Sequence, residues 1–270
     1  MNESPQITEQ AVAQPDLTSP VTPPRPNRDF LSSVQWLAGT MVIAIFAITF
    51  AIQAFQIPSQ SMEDTLLVGD YLLVDKVHFA PGGIWGKVEP YTPIRRGDII
   101  VFRYPVNPSQ HFVKRVIGLP GDRIRLSNKQ VFVNGRPLRE PYVIHREPGR
   151  DDYRDDFPDG RFLTPDVDLR WWNQMRHLVV DGELVVPRNH YFVLGDNRDE
   201  SLDSRYWGFV PRENIIGRPL VIYWSLRHPD QIDGVPAAIE SPADKLVHFV
   251  YTFSHLFQET RWNRTFRLVN

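Results

Sequence analysis

One stretch constrains this chain more than any other. No charged residue occurs from Phe30 to Met62, and within that span WLAGTMVIAIFAITFAIQAF (Trp36 to Phe55) runs for twenty predominantly apolar residues. As a helix, twenty residues cover about 30 Å, the thickness of a bilayer's hydrocarbon layer. The pattern therefore predicts a single transmembrane helix over 34–55. A cleaved secretory leader is the rival reading, but a leader opens with a short basic region, whereas a long segment carrying Glu3, Glu9 and Asp16 precedes this run. Arg25 and Arg28 lie before it, and no Lys or Arg occurs in the twenty residues after Phe55. By the positive-inside rule the N-terminus is expected in the cytoplasm, and everything after Phe55 on the extracytoplasmic side of the inner or plasma membrane. Residues 1–29 carry Pro5, Pro15, Pro20, Pro23, Pro24 and Pro26 and no aromatic, so they read as a disordered cytoplasmic tail.

Beyond the run the apolar period changes to two. DYLLVDKVHF (70–79), DIIVFRYP (98–105), HFVKRVIG (111–118), HYFVLGD (190–196) and RPLVIYWSL (218–226) read as strands. Asn134-Gly135, between two apolar runs in VFVNGRPL, is a strong hairpin signal, and LPGD (119–122) has the Pro and Gly of a type II turn. A mostly β domain is thus expected over 56–240. It is interrupted at about 140–185 by an insertion, containing DDYRDDFPDG and RWWNQM, with little alternation and irregular or mixed structure. Residues 241–270 return to helical spacing, with Leu246, Phe249, Val250, Phe253, Leu256 and Phe257 on one face, and predict a C-terminal amphipathic helix and tail. That helix packs on the β domain or lies in a headgroup layer, since Arg261, Trp262, Arg264 and Arg267 follow.

A formal net charge of −2 provides no global basic field, which argues against a nucleic-acid partner. The absence of cysteine excludes disulfides, thiolate metal sites and a cysteine nucleophile. Covalent chemistry must then use an oxygen or nitrogen nucleophile. Ser61, in PSQSMEDTL just past the apolar run, is a candidate, but a hydroxyl needs a base to take its proton. His111 is one option, although no Gly-x-Ser-x-Gly pattern surrounds Ser61. Lysine is another, provided burial keeps the amine neutral. In HFVKRVIG, period two puts Phe112, Lys114 and Val116 on one face and Val113, Arg115 and Ile117 on the other, so Lys114 sits between apolar neighbours. Read alone, that lysine is equally an edge-strand residue with its amine in water.

Taken together, IPSQSM, TLLVGDYLLVDK, RGDIIVF, HFVKRVIGLPGD and GDNRDESLDSRYWGFV, in that order behind one apolar segment, resemble the motif series of the bacterial type I signal peptidases over about residues 56 to 218. The resemblance implies a mixed antiparallel β domain of that family's type. It also implies a Ser/Lys dyad in which Ser61 is the nucleophile and Lys114 the general base. Ser59, with the Ser61 backbone N–H, corresponds to the family's oxyanion hole, and Ser201 to the serine that orients the lysine. Asp196 with Arg115, and Asp203 with Arg205, match supporting ion pairs. Ile57, Pro58, Leu66 and Phe112 match walls of pockets that accept small residues before the cut, in an Ala-x-Ala manner. Asp64 stands where the family commonly has proline. The implied partners are signal peptides of exported preproteins, the lipid bilayer and, by extension, the export machinery. No cofactor or metal is implied, because no His/Asp/Glu cluster has ligand spacing and no phosphate loop follows a strand.

Two other functions fit parts of the pattern. A membrane-anchored β scaffold with structural serines explains the anchor and strands, but not a serine, a lysine and a second serine in three separated motifs. A self-cleaving repressor-like Ser/Lys protease keeps the chemistry but lacks the anchor.

Overall fold

The computed structural model describes residues 28–46, 52–77, 92–159, 164–227 and 257–269. The chain divides into two compact units, Met1–Ala44 and Ile45–Asn270. Helix α1, Arg28–Phe46, carries the first part of the apolar run. Its apolar side chains are exposed all round, Trp36 at 74% and Ile43 at 70% among them. Among the described residues, no helix is long and apolar enough to cross a membrane.

The end of the apolar run departs from the expected helix over 34–55. Ile52–Gln56 is a strand, β1, paired antiparallel with β2, Asp70–Asp75, in the register Ile52 to Asp75 through Gln56 to Tyr71. Apolarity is shared by a helix and a strand, and the ladder offered by β2 decides between them. The remaining elements are β3 (Ile99–Arg103), β4 (His111–Gly118), β5 (Arg123–Ser127), β6 (Gln130–Val133), β7 (Arg136–Pro137), α2 (Asp152–Asp155), α3 (Leu169–Met175), β8 (Val179–Val180), β9 (Glu183–Val185), β10 (His190–Leu194), α4 (Ser204–Trp207), β11 (Val210–Pro211), β12 (Ile215–Ser225) and β13 (Arg267–Leu268).

All strand pairs are antiparallel and fall into two sheets. The larger runs β1-β2-β12-β3-β4-β10-β11, with β13 on β12, and the smaller β7-β6-β5-β9-β8. Asn134 and Gly135 turn β6 into β7 with φ of 53° and 75°, the left-handed pair that a type I′ hairpin needs. One apolar cluster, with Ile57, Met62, Leu66, Leu72, Val74 and Ile222, lies under the turn that follows β1. A second, with Ile100, Phe102, Val116, Val193 and Trp207, packs along β3, β4 and β10.

The insertion at 140–185 is part of the core. Tyr153, Phe157, Trp171, Trp172 and Met175 join Ile117, Ile124, Leu184 and Phe192 in a third cluster. The Tyr153 hydroxyl (2.6 Å) and the Trp171 indole N–H (2.9 Å) both donate to the Arg205 carbonyl. This segment lacks simple alternation because two short helices, capped by Asp151 and Asp168, face the sheet with large aromatics.

The expected C-terminal helix over 241–270 is not what the described part of it forms. Residues 228–256 lie outside the described residues, and only 257–259 are helical. Thr260 bridges to Leu226, and β13 pairs with Val221 and Ile222 of β12. Arg264, one of the residues assigned to a headgroup layer, is instead buried and pairs with Asp70 at 2.6 Å. Residues 1–27 of the expected tail also lie outside the described residues.

Candidate functional site

Ser61 sits in a 3-10 turn, Gln60–Met62, that immediately follows β1 and Ile57. Glu63 N–H donates to Gln60 O and Leu66 N–H to Met62 O, which closes the turn. Met62 and Leu66 point into the core and are almost fully buried. Each buried side chain of that size contributes about 1.5–3 kcal/mol, so the turn is held from beneath by packing. Asp64, next in the turn, has φ 69°, a left-handed conformation that a short polar residue tolerates and proline cannot adopt. That accounts for the absence of proline here. Asp64 faces solvent and Glu63 is half-buried; Arg146, from the insertion, approaches Glu63 at 3.2 Å and Asp64 at 3.8 Å.

Lys114 comes from the centre of β4, which runs between β3 and β10. Its Nζ lies 2.6 Å from Ser61 Oγ, and the residues are 4% and 6% exposed. Burial pulls the amine's pKa down to about 8. The Asp203 and Asp196 carboxylates work against that shift, and the Arg205 charge adds to it. Such an amine is substantially neutral near pH 8 and can accept the Ser61 proton. Ser59 Oγ is 3.3 Å from Ser61 Oγ on the exposed side of the turn.

Arg115, the next residue on β4, turns to the other face of the strand. Its Nε and Nη2 meet the Asp196 carboxylate at 2.9 and 2.7 Å, and its Nη1 donates to Gly97 O at 2.8 Å. Asp196 also accepts from the Thr65 hydroxyl at 2.6 Å, tying the strand to the Ser61 turn. Asn197 N–H donates to Ser61 O at 3.2 Å. Asp203 and Arg205 form a second buried pair, with contacts of 2.8 Å from both Nε and Nη2. Burial alone would raise the Asp203 pKa, but Arg205 and the Gly195 N–H hold it below the usual carboxylate range.

Ser201 Oγ is buried beside the Asp203 carboxylate, whose pKa it helps to lower, and among the described residues it has no hydrogen bond to Lys114. Gly195 explains how the Ser201 side chain and the Ser61 turn come so close: a Cβ there would meet Ser201 Oγ at 2.3 Å and Ser61 O at 2.4 Å. Thr65, Gly195 and Asn197 are functional neighbours of the dyad that sequence reasoning assigns no role. Their signal was present in SMEDTL and GDNRD, but it becomes readable only when the two loops meet.

A cleft of about 270 Å³ opens on this pair, with walls that include Ile57, Pro58, Ser59, Phe112, His111 and Leu202. Of the expected wall residues, Ile57, Pro58 and Phe112 line it, whereas Leu66 lies wholly in the core beneath. The helical sense of the turn rotates Leu66 inward, away from the Ser61 hydroxyl. His111 stands at the edge, its ring 5.5 Å from that of Phe55, with no hydrogen bond to Ser61 recorded among the described residues. Among the described residues, no group of His, Asp and Glu could hold a metal ion.

Residues 30–224 match the family described as signal peptidase, peptidase S26. A signal peptidase I of Pseudomonas fluorescens is 37% identical over 202 residues, 70% of this chain and 70% of that one. A signal peptidase I of Leptolyngbya laminosa is 34% identical over 241 residues, 83% of this chain and 98% of its own. A signal peptidase I of Aquifex aeolicus (strain VF5) is 37% identical over 220 residues, covering 70% of this chain and 82% of its own.

Proposed function

This chain belongs to the signal peptidase family, peptidase S26, and we propose that it is a serine endopeptidase that removes signal peptides from exported preproteins, with Ser61 as nucleophile and Lys114 as general base. The observation that supports this assignment is the 2.6 Å approach of Lys114 Nζ to Ser61 Oγ, with both groups buried. The neutral amine accepts the hydroxyl proton as Oγ attacks the scissile carbonyl carbon. The oxyanion that forms accepts hydrogen bonds from the Ser61 N–H and the Ser59 hydroxyl. The tetrahedral intermediate collapses, the Lys114 ammonium passes its proton to the leaving amine, and the acyl-enzyme retains the signal peptide. Water, deprotonated by the same amine, then releases it. Asp196 with Arg115, and Asp203 with Arg205, hold the two sides of the site as ion pairs, each carrying no net charge, so their opposing pulls on the amine partly cancel. Ile57, Pro58 and Phe112 leave shallow apolar space in which alanine fits and larger side chains clash.

The test is cleavage of a purified preprotein in detergent, read by mass spectrometry of the new N-terminus. Ser61→Ala and Lys114→Ala each lose at least about a thousandfold in rate, as expected for members of one catalytic unit, while His111→Ala keeps most of it. Near-normal turnover by Lys114→Ala would overturn the dyad.

From the apolar run that begins at Trp36 we infer that the enzyme sits at the inner or plasma membrane, with the N-terminus cytoplasmic and the β domain extracytoplasmic. What supports this reading is the girdle of exposed apolar side chains on α1, which water solvates poorly. Phe257, Trp262 and Phe266, also exposed, supply a second apolar surface for lipid. In spheroplasts, added protease should digest the β domain while a tag at the N-terminus stays protected. Protection of both, or a soluble full-length chain, would refute this topology.

A further inference from the structure

The cleft carries one acid that the catalytic scheme does not use. Glu200 lines it, as do Leu202, Ser61 and Lys114. No cation pairs with Glu200 among the described residues; the contact its carboxylate makes is to Asn197 Nδ2 at 3.2 Å. Asn197 is fully buried and is itself fixed to the Ser61 turn, through its N–H to Ser61 O at 3.2 Å and its Nδ2 to Gln60 O at 3.4 Å. The acid is therefore oriented by the same residue that braces the nucleophile. Its negative charge stands in a cleft whose amine is pulled toward neutrality.

We propose that Glu200 is a specificity-determining residue that favours a lysine or arginine side chain, and disfavours an aspartate or glutamate, at one substrate position next to the scissile bond. Leu202 beside it is 42% exposed and offers an apolar surface for the methylene stem of such a side chain, with Glu200 meeting the charged head. Glu200 is itself exposed, so the attraction is that of a charge pair partly screened by water. This inference rests on the Ser/Lys peptidase reading and adds to it a substrate charge preference.

The experiment uses the full-length enzyme in detergent and synthetic peptides with an Ala-x-Ala cut, carrying Lys, Gln or Glu singly at the x position or at each of the three positions after the bond. With the wild-type enzyme, one position prefers Lys over Glu by about tenfold in kcat/KM, the size expected for one charge pair at a partly solvated site. In Glu200→Gln that ratio falls to about two or less, and in Glu200→Lys it inverts. A ratio that is the same in wild type and Glu200→Gln at every position overturns the proposal. Failure of the underlying reading is seen separately, because it would leave the all-neutral peptide cleaved by Ser61→Ala.

Discussion

At the scale of single residues, the decisive quantity is where Lys114 holds its proton. With the amine lowered to about 8, the reactive neutral form grows tenfold for each pH unit up to that point and saturates above it. The rate of preprotein cleavage should follow the same curve. The same shift leaves a mark on stability. The unfolded lysine titrates near its ordinary 10.5 and the folded one near 8, so between those values the unfolded chain binds more protons and stability rises with pH. Below about 8 both states are charged and the full burial penalty is present. Lys114→Met removes that penalty, and at pH 7 it should raise the unfolding free energy by up to about 3 kcal/mol, with a flat response where the wild type climbs. Equal urea midpoints for the two proteins at pH 7 would show the amine to be better solvated than its surroundings indicate.

At the scale of elements, the Ser61 turn depends on a backbone conformation as much as on side chains. Asp64 at φ 69° is followed by Leu66 buried in the core, so Asp64→Pro would have to rebuild the turn. It should cost about 2 kcal/mol or more and lower cleavage more than binding. Unchanged kcat in that variant would mean the turn has a second conformation. The strands were largely legible. Segment 111–118 forms β4 over the same residues, although the strand is buried on both faces from Lys114 to Gly118 and its exposure does not alternate. The start of β1 was not legible, since Ile52–Phe55 is as apolar as the helix before it and the choice rests on a partner at Asp70–Asp75. In the same way, period two placed apolar neighbours beside Lys114 but said nothing of Ser61, 53 residues away. Only the resemblance of several motifs suggested that meeting. It could not tell which way Ser201 or Leu66 would turn.

At the scale of the whole molecule, the chain's last described segment returns to its beginning. Arg264 reaches Asp70 with contacts of 3.3 and 2.6 Å and donates at 3.0 Å to the carbonyl of Thr65, the residue whose hydroxyl meets Asp196. Nothing local signals a pair separated by 194 positions. Arg264→Ala leaves the Asp70 carboxylate buried without its cation, a loss of about 3–5 kcal/mol that a denaturation midpoint would report. A shift under about 1 kcal/mol would mean that water takes the arginine's place. Residues 140–185 have an analogous hold on the fold through Tyr153, Phe157 and Trp171, whose rings complete the third cluster. Anyone trimming this enzyme to a minimal catalyst would open its interior by excising them. A fluorophore or affinity handle is better hung on Gly135 and Arg136, which stand in solvent at a hairpin tip.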